Sequence, residues 1–397
     1  MTHENKFGMF VHWGFYSILG VQEQVYARFD LDTEEYESYK DKFNPVNYDP
    51  EKWVLLAKEA GAEYVTFTTK HHDGFCMWDT KETDYSIMHT PYGKDVLKML
   101  SDACAKHGMM LSLYYSCPDW HHPYGFNPAS SHQWKAKNKS VIDTQKYREY
   151  VKAQVRELLT GYGRIYAFYW DIPPKIYDPS LNQLVRELQP GIYINDRGYD
   201  VGDFSTPERE YSSDDSKCYT RMTEACNSLG VQSWGYRSNE DFYSYRYLIS
   251  EIDRNMAKGA SYVLNVGPNA LGEIPDEYAK RFLRIGNWYK RMEGSLQCHE
   301  PDTFDYNVRE KEYYVTKKNG KSYFHFPEGI RSNALSLRYF PNMPRSVRCL
   351  NSGDALPFEY MGLPEYSENG TATYHLHIRN IPVDEYADEA IVIEIEW

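Results

Sequence analysis

The sequence predicts an α/β fold, a (β/α)8-like barrel followed by a small C-terminal antiparallel β-sandwich. Three observations predict it. Apolar runs of strand length alternate with amphipathic helices, as parallel βαβ units require. About seven such runs occur, and several end in polar residues, where parallel barrels place their chemistry. From about Asp302 onward the helices stop and short strands follow, separated by Asn-Gly turns at Asn319-Gly320 and Asn369-Gly370. The expected division is a barrel over residues 1–300 and a sandwich over 301–397.

Each element has its own signal. Phe7-Gly-Met-Phe-Val-His12-Trp13-Gly14 reads as a first strand ending in a polar-aromatic turn. Residues 21–47 are polar and irregular, with one helical turn near Glu34–Lys42. Asp49 is a natural N-cap with Pro50 at the first helical position, and Gly61 closes that helix. Tyr64-Val-Thr-Phe-Thr-Thr-Lys is β-branched and apolar, the pattern of a strand buried on both faces. It breaks into His71-His72-Asp73-Gly74.

A helix over Gly93–Lys106 follows, with Val96, Leu97, Leu100, Ala103 and Cys104 on one face and Gly108 as its stop. Then come a strand over 109–116, a His-, Pro- and Trp-rich loop over 117–134, and a helix over 143–159. A strand ending on Trp170-Asp171, a helix over 179–188, and a strand ending in Asn195-Asp196-Arg197 continue the alternation. A helix over 240–258, a strand over 260–266 and a helix over 276–292 complete it. Residues 218–235 show no clear period. In the C-terminal part, 313–315, 323–326, 334–339, 347–350, 373–378 and 390–395 read as strands.

Composition narrows the function. The net charge of −13 and pI near 5.5 disfavour nucleic-acid and anionic-membrane partners, which need basic surfaces. No run approaches the roughly 20 apolar residues of a membrane span. Seven Cys, an odd number with no Cys-x-x-Cys pair, predict free buried thiols in a reducing compartment. With a start, Met1-Thr-His-Glu-Asn-Lys6, unlike a signal peptide, that makes a cytoplasmic location the expectation. No metal or other cofactor is expected: a Cys cluster is absent, and neighbouring His71 and His72 point to opposite faces unless their strand has ended. Aromatic residues make up 16%, with 37 Tyr and nine Trp. An acidic, aromatic-rich chain suits a sugar cleft, where rings pack on C–H faces and carboxylates take hydroxyls.

Strand ends therefore bring forward His12-Trp13, His71-His72-Asp73, Tyr115, Asp171 and Asn195-Asp196-Arg197. Glycoside chemistry needs two carboxyl groups. Asp171 suits the first, while Asp196, Asp203, Glu208, Glu210 and Glu224 compete for the second.

The motifs carry a family resemblance. Phe7–Gly14, Lys70-His-His-Asp-Gly-Phe-Cys-Met-Trp-Asp79, Asn195-Asp-Arg197, Asp203-Phe-Ser-Thr-Pro-Glu208, Ser233-Trp-Gly-Tyr236 and Leu264-Asn-Val-Gly-Pro268 occur in order over roughly the first 295 residues. Together they resemble the α-L-fucosidases of glycoside hydrolase family 29. That resemblance implies a barrel with a C-terminal β-sandwich, no metal, and removal of terminal α-L-fucose from oligosaccharides or glycoconjugates with retention of configuration. It implies Asp171 as nucleophile and Glu208 as acid/base. His12, His71, His72 and Tyr115 would hold hydroxyls or the nucleophile, Arg197 would lie beside the carboxylates, and Trp234 near the deoxy methyl group. Two places depart from the pattern. A Glu-Trp pair usual after the first strand reads Gln24-Val25, an expected loss of a carboxylate and an aromatic wall, and Thr223-Glu224 replaces a Trp-Glu element. The alternative is a non-catalytic glycan-binding protein on the same scaffold.

Overall fold

The computed structural model describes residues 5–209, 217–297, 300–338, 342–363 and 373–397. Seven parallel strands form the first sheet: β1 (Phe7–Val11), β2 (Tyr64–Lys70), β3 (Met110–Ser116), β4 (Ala167–Asp171), β5 (Tyr193–Ile194), β6 (Glu224–Ser228) and β7 (Ser261–Val266), in the order β5-β4-β3-β2-β1-β7-β6. Among the described residues, six helices of ten residues or more accompany them: α1 (Pro50–Glu59), α2 (Val96–His107), α3 (Thr144–Gly161), α4 (Pro179–Leu188), α5 (Tyr245–Ala257) and α6 (Asp276–Leu296). Asp49 caps α1 through Glu51 and Lys52 N–H, as its sequence indicates. The second helix begins at Val96, later than Gly93, because the Asp95 carboxylate caps it; it ends on Gly108 at φ 66°.

The sheet's two edges, β5 and β6, are joined by a segment that is too irregular to be a strand. Residues Phe204 to Glu208 run parallel to both, bridging Asn195 to Phe204 on one side and Thr223 to Ser205 and Cys226 to Glu208 on the other. Pro207 lacks the N–H that a regular strand would donate there, yet its carbonyl accepts from Cys226 N–H at 3.1 Å. The expected barrel is therefore closed by this eighth segment. β5 is shorter than its sequence suggested because the Asn195 side chain replaces the ladder: it accepts from Trp170 N–H and donates to Trp170 C=O, both at 2.8 Å.

Alternation divides the strands into two faces. Phe10, Tyr64, Tyr114, Ala167, Tyr169, Phe204, Cys226 and Val263 fill the barrel interior. Met9, Val65, Leu113, Phe168 and Leu264 face outward into the main core beneath the helices. Gly8 matters here: a Cβ on it would sit 2.4 Å from the Tyr64 ring. β6, in the stretch without a readable period, is polar in sequence because its inward face carries Glu224, whose Oε2 accepts from Tyr64 OH at 2.6 Å.

From Glu300, two antiparallel sheets follow. One orders β12 (Ser346–Cys349), β15 (Ile391–Glu396), β10 (Lys321–Phe326), β9 (Tyr314–Lys318) and β8 (Glu300–Asp302); the other orders β11 (Leu335–Arg338), β14 (Thr373–Ile378) and β13 (Phe358–Leu363). Phe324, Ile391 and Ile393 of the first pack with Leu337, Leu376 and Ile378 of the second, which makes the expected sandwich. β8 and β13 have no clear apolar period and were not anticipated. The sandwich docks on α5 and α6. His325 Nδ1 meets Asp253 Oδ1 at 2.7 Å with both side chains fully buried, and Ser250 OH donates to Pro327 C=O at 2.6 Å. Five of the six described cysteines are buried.

Glu224 provides a test of the interior. Burial raises its pKa from 4.5 to about 7, with only the Tyr64 hydrogen bond opposing. A carboxyl whose folded pKa is raised contributes stability that is fully present below pH 4.5 and is lost as pH rises through about 7. Glu224→Gln keeps the acceptor for Tyr64 without the charge. It is expected to gain about 3 kcal/mol on the wild type between pH 4.5 and pH 8, read from denaturant midpoints across pH.

Candidate active site

Asp171, the last residue of β4, stands at the C-terminal end of the barrel and faces inward, in phase with Tyr169 and its β3 partner Tyr114. The next residue, Ile172, has φ 58°, a strained conformation for a β-branched side chain. Asp171 Oδ1 accepts from Arg197 Nη1 at 2.9 Å and Oδ2 from Tyr114 OH at 2.6 Å. Burial opposes its ionisation, but the Arg197 charge and the hydrogen bonds from Tyr114 and Arg197 outweigh burial and hold it well below the usual carboxylate range.

Arg197 is the common partner. The same Nη1 donates to Glu208 Oε2 at 3.0 Å, and Nη2 donates to Thr206 C=O at 2.5 Å, both on the segment that closes the barrel. The two carboxyl groups differ in setting: the Asp171 side chain is 12% exposed and that of Glu208 38%. Their competitors lie elsewhere. Asp196 pairs with Arg221, Asp203 pairs with Arg186, and Glu224 is bonded to Tyr64 inside the barrel. Glu210 lies outside the described residues.

His12, His71 and His72 line the same cavity as these carboxylates, with His132 a fourth imidazole. β2 ends at Lys70, so His71 and His72 are no longer held to opposite faces, and their rings sit 4.1 Å apart. His12 Nδ1 contacts Asn265 Oδ1 at 2.7 Å; Asn265 Nδ2 donates to Trp234 C=O, so Nδ1 carries the proton and Nε2 is an acceptor. His72 Nδ1 donates in the same way to Ser116 Oγ at 2.7 Å, whose own proton goes to Pro118 C=O. Its Nε2 lies 3.9 Å from Asp171 Oδ2, too far for a hydrogen bond. His71 Nδ1 is buried with no partner. Burial lowers the His12 pKa to about 3, reinforced by His71, and lowers that of His71 to about 4; burial also pushes His72 well down. All three are neutral at pH 7. Asp73, the third member of the motif, is structural: it accepts from Tyr36 OH and Phe75 N–H.

Tyr115 is not in the cavity, and this corrects the expectation. It points outward, donates to Gln154 Oε1 at 2.7 Å, and lies under Lys70 Nζ at 4.2 Å from the ring centroid. Its neighbour Tyr114 faces the cavity instead. A strand carrying two adjacent tyrosines offers no way to tell the faces apart without the partner strands.

The expected loss of a carboxylate at Gln24-Val25 is also corrected. Glu23, one residue earlier, lines the cavity, and its Oε2 accepts from Ser233 OH, Trp234 N–H and Gly235 N–H at 3.0, 2.9 and 3.1 Å. Trp234 is thereby set against His12, with ring centroids 5.2 Å apart. Tyr169 and His132, which no sequence signal brings forward, also line the cavity, beside Phe10, Gln24, Ile172 and Cys226. The loop bearing His132 is anchored from behind. Lys70 Nζ contacts Asp119 Oδ2 at 2.9 Å, and the intervening Trp120 N–H donates to His72 C=O.

Known proteins resemble this chain throughout. The family model for alpha-L-fucosidase matches residues 2–293. The tissue alpha-L-fucosidase of Rattus norvegicus is 27% identical over 364 residues, spanning 82% of this chain and 76% of that protein. Alpha-L-fucosidase isoenzyme 1 of Paenibacillus thiaminolyticus superposes with a TM-score of 0.83 at 30% identity, covering 98% of this chain and 96% of that one. An alpha-L-fucosidase of Bacteroides thetaiotaomicron, trapped as a covalent intermediate with 2-fluoro-fucosyl fluoride, superposes at 0.77 with 25% identity, covering 99% and 94%.

The two adjacent tyrosines are separable by experiment. Tyr114→Phe removes a donor from Asp171 and is expected to raise the pH at which that carboxyl protonates, followed by 13C NMR titration. Tyr115→Phe is expected to leave the titration unchanged while lowering stability by about 1–3 kcal/mol, because Gln154 Oε1 loses its partner.

Proposed function

Since the chain belongs to the alpha-L-fucosidase family of glycoside hydrolases, we propose that it releases terminal α-L-fucose from fucosylated oligosaccharides or glycoconjugates by a retaining double displacement. One observation carries this reading. Asp171 Oδ1 and Glu208 Oε2 share a single guanidinium nitrogen at 2.9 and 3.0 Å. Those two oxygens therefore lie no further apart than the sum of those distances, and one cation drawing both carboxyl groups together favours the roughly 5–5.5 Å of retaining enzymes over the roughly 6.5–9.5 Å that leaves room for a water. The covalent intermediate of the similar Bacteroides enzyme supports the same reading.

Asp171, ionised and oriented by Arg197 and Tyr114, attacks the anomeric carbon. Glu208, the more open carboxyl, protonates the departing oxygen. As the ester forms, Asp171 loses its charge and Arg197 is left facing Glu208 alone. Glu208, having given its proton to the departing oxygen, then takes one from the incoming water. Neutral imidazoles suit sugar hydroxyls, since each ring both donates and accepts. His12 and His72 present an acceptor Nε2, and His71 brings an unpaired Nδ1. Trp234 and Phe10, both lining the cavity, offer an apolar wall for the methyl group of fucose.

Two outcomes are expected. The first-formed sugar observed by NMR is α-fucose; initial β-fucose would exclude Asp171 as nucleophile. Glu208→Ala cleaves an activated aryl fucoside to the ester but stalls there, and azide, displacing the ester with a second inversion, restores turnover as α-fucosyl azide. Glu224→Ala shows no such rescue. Rescue of Glu224→Ala alone would move the acid/base role to that residue.

A further inference from the structure

Beside the sugar pocket, residues 24–37 and the loop over 119–137 are clamped into one wall. Lys135 Nζ bonds Asp30 Oδ1 and Leu31 C=O, both at 2.7 Å, and Glu37 accepts from His121 at 2.7 Å and Lys137 at 3.3 Å. Two routes lead along this wall from the pocket lining to Trp134. His132, held at φ 58°, has its ring 5.3 Å from His72 and 4.6 Å from Trp134. Gln24 Oε1 accepts from Arg28 Nε at 3.3 Å, and the Arg28 guanidinium lies 5.0 Å from the Trp134 ring centroid.

Trp134 is 46% exposed, an unusual state for the largest aromatic side chain at the rim of a polar pocket. Arg28 is exposed as well, and among the described residues it has no carboxylate at ion-pair distance, in a chain of net charge −13. The other cations of the wall, Lys135 and Lys137, are each paired. An open indole and an uncompensated guanidinium thus stand side by side, one contact away from the sugar pocket.

We propose that Trp134 and Arg28 form the subsite for the leaving group: the sugar next to fucose packs its C–H face on Trp134, and an anionic substituent on that sugar is taken by Arg28. The inference rests on the fucosidase reading and narrows its substrate to acidic fucosylated glycans. An indole suits the apolar face of a pyranose. A guanidinium fork matches the geometry of a carboxylate or a sulfate ester. Because the pair is exposed, the charge term is modest and is screened by salt.

The test compares kcat/KM on four substrates: α-L-fucosyl fluoride, which offers nothing to stack on Trp134, and one fucosyl oligosaccharide in neutral, sulfated and carboxylated forms. The wild type is expected to prefer an anionic form over the neutral one, less so at high salt. Trp134→Ala is expected to lose about tenfold more on the oligosaccharides than on the fluoride. Arg28→Met is expected to bring the anionic form down to the level of the neutral one. Whichever anion, sulfate or carboxylate, depends on Arg28 is the group recognised. Equal treatment of neutral and anionic forms by the wild type, or a uniform loss across all four substrates in either variant, overturns the subsite. Failure of the folded wild type to turn over even the fluoride would instead overturn the fucosidase reading.

Discussion

A single guanidinium holds the catalytic end of this barrel together. Arg197 sits between two carboxylates and a backbone carbonyl, and those three acceptors come from β4 and from the segment that closes the barrel. Asp171, ionised and largely buried, would be costly alone; the Arg197 cation lowers that cost and draws the more open Glu208 to the same nitrogen. The closing segment depends on it in turn. With Pro207 unable to donate, this segment makes only scattered bridges to β5 and β6, and the Arg197 contacts to Thr206 and Glu208 add to what places it.

Around that cation the site is built from groups kept uncharged. His12, His71 and His72 are buried deeply enough to stay neutral, and two have their tautomers set by fixed acceptors, Asn265 and Ser116. Each acceptor is itself fixed by a backbone carbonyl, of Trp234 and Pro118 respectively. Glu23 adds a third carboxyl group, yet one of its oxygens is committed to three donors of the 233–235 turn. The pocket is thus rigid before any sugar enters, which keeps ordering costs low on binding.

The supporting layer is aromatic and ionic rather than aliphatic. Lys70 and Asp119 form an ion pair with almost no exposure, enclosed by Tyr115 and Tyr147. Breaking it from one side would strand a buried charge, a costly outcome, so the loop carrying His132 is tied firmly to the barrel. Tyr115 belongs to this layer. Its removal from the site and the entry of Tyr114 are one event, since neighbouring residues of a strand cannot share a face.

By itself the sequence determined what depends on local periodicity and on residue type. Alternating apolar runs and capped helices announced the barrel, Asn-Gly turns announced the sandwich, and polar residues at strand ends brought forward His12, His71, His72, Asp171 and Arg197. These are properties of short stretches, set by backbone geometry and burial. Tertiary structure decided whatever depends on phase or on partners distant in the chain. Which of Tyr114 and Tyr115 faces inward follows from register with β4. That Glu208 meets Asp171 while Glu224 does not follows from where Arg197 reaches. Glu23 gains its place from donors more than 200 residues away. The strand at 224–228 was hidden because its inward face is polar, and a polar strand reads as a loop until the tyrosine that accompanies its carboxylate is in view.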